Sequence, residues 1–176
     1  MKATGIVRRI DELGRIVIPK EIRRVLRIRE GDPIEIFTEG DGVKLKKYAR
    51  IREIGDYAET YCQALCGALG FSAAVTDTET VLYAAGPFKK RLIGLPLSSA
   101  FTDRIRSQRI VTDADGEEWI SGAGPIARLC AAPILSMGDL IGSVLIATDD
   151  ERLTIRETEI HIVKTAALYL GKQLEV

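Results

Sequence analysis

The chain has 176 residues, 46% of them hydrophobic and 28% charged, enough for one ordinary domain or two small ones. The opening run MKATGIVRRI lacks the apolar stretch of a signal peptide, and no apolar run approaches the roughly 18 residues of a membrane span, so a cytoplasmic protein with no membrane partner is expected. Three cysteines and one histidine make a disulfide framework or a zinc site improbable, and no cofactor or metal is expected.

Net charge is zero, but it is unevenly spread. Residues 1–50 carry 13 Lys and Arg against 8 Asp and Glu, a net of +5, which leaves 12 against 17, or −5, for residues 51–176. Opposite charge on the two parts predicts different partners for each.

In chain order, Thr4 to Ile10 alternates apolar and polar residues as a strand does, Asp11-Glu12-Leu13-Gly14 reads as a turn, and Arg15 to Ile18 returns as a second strand. Pro19 suits a first helical position. Ile22, Val25 and Leu26 then share one helical face, with Lys20, Arg23, Arg24 and Arg27 on the other. From Pro33 to Thr38 the pattern points Ile34 and Ile36 inward and Glu35 outward, and Gly40-Asp41-Gly42 turns the chain into Val43 to Tyr48. A unit this small, with no disulfide or metal, buries too little apolar surface to fold dependably alone. Dimerisation is the expected remedy, and a two-fold dimer presents each basic cluster twice to a DNA duplex.

The run TGIVRRIDELGRIVIPKEIRRVLRIREGDPIEIF closely resembles the swapped-hairpin DNA-binding domain of AbrB-like transition-state regulators, in which two chains interlock their hairpins into one barrel. The specific signature is DELGRIVIP followed by the basic helix, and the whole chain resembles a sporulation regulator of spore-forming bacteria. Carried over residue by residue, the resemblance implies that Arg8, Arg15, Arg23 and Arg24 contact double-stranded DNA. Arg9 is adjacent and basic, but strand alternation turns it away from Arg8, so one of the two should contribute less. Arginine suits the task because its fork binds phosphate or a guanine edge bidentately. The resemblance also implies sequence-tolerant recognition through DNA shape and flexibility.

From Ile51 the pattern becomes helical, with Ile51, Ile54, Ala58, Tyr61, Leu65 and Ala68 at the three-four spacing of a short coiled seam. Ile160, Val163, Ala167, Leu170 and Leu174 repeat that spacing near the C-terminus, opened by Thr154 and Glu157 read as a capping box. The same spacing describes plain core-facing helices, so an oligomer seam through Ile54, Tyr61, Leu65, Val163 and Leu170 and an ordinary core face are both open. Between these helices lie strand-like stretches at Ser72 to Thr76, Thr80 to Ala85, Arg109 to Thr112, Leu129 to Leu135 and Leu140 to Ala147, with Ser136-Met137-Gly138-Asp139 as a hairpin turn.

This order of elements resembles a GAF domain, a small sensor fold. The Asn-Lys-Phe-Asp-Glu signature of cyclic-nucleotide-binding members is absent, so the resemblance implies at most an unidentified small-molecule effector. The expected fold class is therefore α+β: a swapped-hairpin barrel dimer over residues 1–50, a linker helix over 51–70 and an α/β GAF-like sensor domain over 71–176.

Other residues have plain readings. Cys62 and Cys66 read as buried small residues, and His161 as a packing or surface residue on the last helix. Asp149-Asp150-Glu151 read as solvated acids before a helix N-terminus. Gly122-Ala123-Gly124-Pro125 lacks the Lys and Ser/Thr of a phosphate loop, and Trp119 is read as core filling. The expected function is a sequence-tolerant DNA-binding transcription regulator of sporulation genes that self-associates as a dimer and then a tetramer. An antitoxin is the alternative, disfavoured by the well-patterned C-terminal half. An enzyme is not expected, because no Ser/His/Asp, Cys/His or metal constellation is present.

Overall fold

A computed structural model of the chain describes residues 5–26, 28–107, 109–112 and 118–175. Thr4, at the start of the first expected strand, and Arg27, on the basic face of the helix, lie outside the described residues. The chain divides into two compact units, Met1–Tyr48 and Ala49–Val176.

In the first unit the Asp11 turn forms as expected. Asp11 N–H donates to the Arg15 carbonyl at 3.0 Å, Gly14 N–H donates to the Asp11 carbonyl at 2.9 Å, and Gly14 takes the left-handed φ of 76° that the turn requires. The flanking segments, however, join no ladder within the single chain. A strand needs a neighbour to receive its backbone bonds, and among the described residues these segments belong to neither sheet. Helix α1 (Lys20–Val25) begins after Pro19, which is the N-cap rather than the first helical residue. Strands β1 (Ile34–Glu39) and β2 (Gly42–Lys47) pair antiparallel from Ile34↔Lys47 to Glu39↔Gly42. Ile36, expected inward, is 68% exposed, whereas Ile34 and Phe37, on opposite faces of β1, are half-buried. Pro19 is the one fully buried residue among the described residues of this unit.

The second unit is built on a five-stranded antiparallel sheet. Its strands are β3 (Ser72–Thr76), β4 (Val81–Ala85), β5 (Val111–Thr112), β6 (Arg128–Ser136) and β7 (Asp139–Thr148), in the order β4-β3-β7-β6-β5. Both faces are covered, which is why β3 is buried at every position and carries no polar alternation. One face takes two long helices, α2 (Gly55–Leu69), entered through a 3-10 turn at Arg50–Ile54, and α5 (Glu157–Gln173). Cys130, Ala132, Ile134, Val144 and Ile146 of the sheet meet Ile51, Ala58, Cys62, Leu65, Val163, Ala167 and Leu170 there. The other face takes α3 (Lys89–Leu92), α4 (Ser99–Arg106) and irregular chain. Ala74, Leu129, Ala131, Leu145 and Ala147 pack beneath Phe88, Leu92, Phe101, Ile105 and Trp119.

Segment 51–70, expected as a linker, belongs to this second unit. Ile51, Ile54, Ala58, Cys62 and Leu65 are buried in its core, and apolar surface removed from water holds the helix on the sheet rather than leaving it between domains. The β6–β7 hairpin closes at Met137 (φ 51°) and Gly138 (φ 88°), two successive left-handed residues of the type favoured by right-twisted strands. Thr154 and Glu157 do not form the expected cap. The helix starts two residues later than that motif requires, and Arg156 N–H donates to Glu159 Oε2 at 2.8 Å. Helix α4 was hidden in the irregular middle, although Ser98 caps it by accepting from Phe101 N–H at 3.1 Å.

Candidate nucleic-acid interface

Five arginines of the first unit were expected to carry the interface, and Arg8, Arg9, Arg15, Arg23 and Arg24 are all exposed. Arg23 and Arg24 occupy the last turn of α1, where cationic side chains are favoured by the helix dipole and remain open to solvent. Arg15 leaves the turn with its backbone N–H on Asp11 Oδ1 at 2.8 Å and its Nε on Asp11 Oδ2 at 2.8 Å. The Arg15 backbone N–H, then its side chain, holds the Asp11 carboxyl below its ordinary value. That pairing holds the Arg15 Nε, and the side chain is still 71% exposed. Arg8 donates from Nη1 to the Val7 carbonyl at 3.0 Å. Because the segment around Arg8 and Arg9 joins no ladder in one chain, their alternation is not fixed within it.

Many of the large apolar residues of this unit are open to solvent. Val7 is 85% exposed, Leu13 74%, Val17 71% and Val25 80%, and Ile10, Ile16, Ile36 and Val43 are also open. Such density of large apolar side chains on one small unit is of the kind that marks an interaction surface.

The expected seam in the second unit falls differently. Ile54, Leu65, Val163 and Leu170 are core residues packed on the chain's own sheet, out of reach of a second copy. Tyr61 alone of the five is half-exposed, stacked on Tyr169 with ring centroids 5.3 Å apart. The three-four spacing therefore records the inner face of two ordinary helices. The outer face carries Tyr57 at 57%, Leu168 at 66% and Tyr169 at 41% exposure, residues the spacing argument missed because it followed the stronger apolar periodicity.

The remaining singled-out residues are structural in their surroundings. Cys62 is buried and its thiol is pushed up to about 12, chiefly by desolvation, while Cys66 is half-buried. Trp119 is buried edge-on to Phe101, with Arg104 over its ring. His161 is exposed, its Nδ1 2.7 Å from the Glu157 carbonyl. Asp150 lies well before α5 and owes nothing to its dipole. The Arg152 side chain, then its backbone N–H, lowers the Asp150 carboxyl to about 2. Among the described residues no cluster of His, Cys, Asp and Glu could hold a metal ion. No helix among them is long and apolar enough to cross a membrane.

Residues 53–175 match the family model for the stage V sporulation protein T C-terminal, transcription factor. Over its whole length the chain is 45% identical to stage V sporulation protein T of Bacillus subtilis, covering 99% of each chain. The chain belongs to this family of transcription factors. Its first part is 58% identical over 48 residues to the transition state regulatory protein AbrB of Bacillus subtilis, which is 27% of this chain and 50% of that protein. Residues 7–53 also match the model for antidote-toxin recognition MazE, bacterial antitoxin. The second unit resembles the GAF domain from a phosphoenolpyruvate-protein phosphotransferase of Coxiella burnetii, with a TM-score of 0.51 at 16% identity over 71% of this chain and 90% of that one, a likeness of fold alone. The fold is thus α+β, with an AbrB-like first domain and a GAF-like second, as the sequence led one to expect.

Proposed function

We propose that the chain is a DNA-binding regulator of sporulation genes whose first unit completes its fold by interlocking with a second copy. The observation that carries this reading is the combination, on one unit, of five exposed arginines with many exposed large apolar side chains. Pairing two copies would supply the missing ladder partners for the segments around the Asp11 turn and set two basic clusters on one side. Arg8, Arg15, Arg23 and Arg24 then contact double-stranded DNA, with Arg9 secondary. Recognition is sequence-tolerant, because these positions serve backbone contact and shape reading as readily as base edges. The family and the folded second unit favour a regulator over an antitoxin. We assign no catalysis: the one histidine is on an exposed helix face with Nδ1 against a backbone carbonyl.

The second unit takes a small effector or sets the oligomeric state. For the tetramer we place the seam on the outer surface of α2 and α5, at Tyr57, Tyr61, Leu168 and Tyr169, since the inner faces are spent on the core. Two linked DNA-binding dimers gain effective concentration on long, degenerate sites.

The test is fluorescence anisotropy of the full chain on a long duplex. Arg15→Ala, Arg23→Ala and Arg24→Ala should each weaken binding by roughly 1 to 3 kcal/mol while leaving the circular dichroism spectrum unchanged. Unaltered affinity in all three removes this surface from consideration. Arg8→Ala should weaken binding more than Arg9→Ala, and the reverse order would mean that the strand phase is wrong.

A further inference from the structure

Arg91, on the short helix α3, is more constrained than its half-exposed position requires. Its guanidinium lies over the Phe88 ring, with Cζ 3.8 Å from the centroid, and Nη2 donates to the Pro125 carbonyl at 2.6 Å. Among the described residues it pairs with Asp149, whose Oδ2 is 3.6 Å from Nη1, well beyond the roughly 2.7–2.9 Å of a charge-assisted hydrogen bond. Nε is buried and has no hydrogen-bond partner among the described residues. Ring and carbonyl therefore hold the guanidinium in place, while its capacity to bind an anion is only loosely used. Gly122 and Gly124, in the loop that supplies the Pro125 carbonyl, are both left-handed (φ 81° and 72°), and a Cβ at either would meet nothing within 4 Å.

We infer that Arg91 is the anchor of an anion site in the second domain, taking the carboxylate or phosphate group of a small effector, with Asp149 as the tethered carboxylate that occupies it loosely in the effector's absence. The inference rests on the reading of this domain as an effector-binding unit and names the chemistry that unit would recognise. A ligand anion reaching hydrogen-bond distance would replace a long contact by a short one, and would draw on a guanidinium already oriented by Phe88 and Pro125. Displacing Asp149 also frees the chain that follows β7, and an anion at Nη2 competes with the Pro125 carbonyl for that donor. The Glu118–Pro125 segment, which carries Trp119, would respond in either case.

The chain has a single tryptophan, so intrinsic fluorescence of the full-length protein reports on that segment directly. Inorganic phosphate and 4-methylpentanoate, an apolar carboxylate, are titrated separately at constant ionic strength with chloride as control, following fluorescence and melting temperature. One of the two should give a saturable response, and which one it is distinguishes a phosphorylated from a carboxylic effector. Arg91→Gln should weaken that response by about tenfold or more, the loss expected for a charge-assisted contact. Asp149→Asn should strengthen it, because the internal competitor is gone. A purely structural clamp predicts no tightening in Asp149→Asn, so the absence of tightening overturns the site. A response retained in full by Arg91→Gln also overturns the site, yet leaves the effector reading standing. Silence towards both anions in the wild type and in Asp149→Asn overturns the site as well.

Discussion

Helix α5 lies on β6 so closely at Gly171 that an added Cβ would strike the Leu135 carbonyl oxygen, with the Leu135 carbonyl carbon 3.1 Å away. The obstructing atoms are backbone, and no rotamer change relieves the contact, so in Gly171→Ala either α5 or the edge of β6 has to shift. Overpacking of this kind costs about 1–3 kcal/mol, and a backbone obstacle puts the cost near the upper end. Alanine in a helix interior returns up to about 1 kcal/mol relative to glycine. The net loss expected is about 2 kcal/mol, or roughly 4–10 °C in melting temperature for a domain of this size. Gly67 in α2 supplies the internal control. It is exposed, its added Cβ would meet nothing within 4 Å, and Gly67→Ala should gain up to about 1 kcal/mol. Thermal denaturation of the two variants by far-UV circular dichroism reads the difference. If Gly171→Ala melts as high as Gly67→Ala, α5 does not sit on β6 as described and the inner-face assignment of Val163 and Leu170 falls with it.

Leu65→Asp should unfold the second domain rather than split an oligomer, because it places a charge in the α2 core. Leu168→Asp should instead leave the melting temperature nearly unchanged while converting tetramer to dimer, and light scattering of both variants decides between inner and outer seams. In the native protein Cys66 should react with a thiol reagent well before Cys62 and Cys130, since those two are buried and the Cys62 thiol is raised to about 12; equal rates for all three in mass spectrometry would contradict the packing of α2. The Asp150 carboxyl, lowered to about 2, contributes stability that is fully present above its ordinary value of 3.8 and lost as pH falls through about 2. A carboxyl resonance of Asp150 titrating near 3.8 in a folded sample would show that the Arg152 pairing does not persist in solution.

Much of the second domain was legible in the sequence because its strands have sharp punctuation. Gly138 after Met137 fixes the β6–β7 hairpin, and the apolar runs at residues 72–76 and 140–147 reappear as β3 and β7. What the sequence left open has physical reasons. The spacing of Ile54, Leu65, Val163 and Leu170 is the same whether the stripe faces a sheet of its own chain or a helix of another, so periodicity could not separate core from seam. Helix α4 was missed although Ser98, Phe101 and Ile105 hold the cap and the i, i+4 apolar pair that announce it; the helix is short, and Arg104 and Arg106 obscure its pattern. In the first domain the opposite problem arises. Strands at residues 4–10 and 15–18 are readable from alternation, yet among the described residues these segments join neither sheet, while the Asp11 turn between them is formed. The five arginines were found through the DELGRIVIP signature and the basic helix. Arg91 was not, because a lone arginine carries no sequence signal until its ring, carbonyl and carboxylate neighbours are assembled in space.

The central claim is that the exposed arginines of the first unit bind DNA by neutralising its phosphates, and the salt dependence of binding tests it most directly. Equilibrium binding of the full chain to a long duplex, measured across salt concentrations, should give a steep negative slope of log affinity against log salt, since each neutralised phosphate contributes roughly −0.9. Replacing both Arg23 and Arg24 by alanine should lower affinity uniformly across sequences and reduce the steepness by about one for each phosphate contact removed. A slope near zero, or a slope that the double replacement leaves unchanged, would contradict the account.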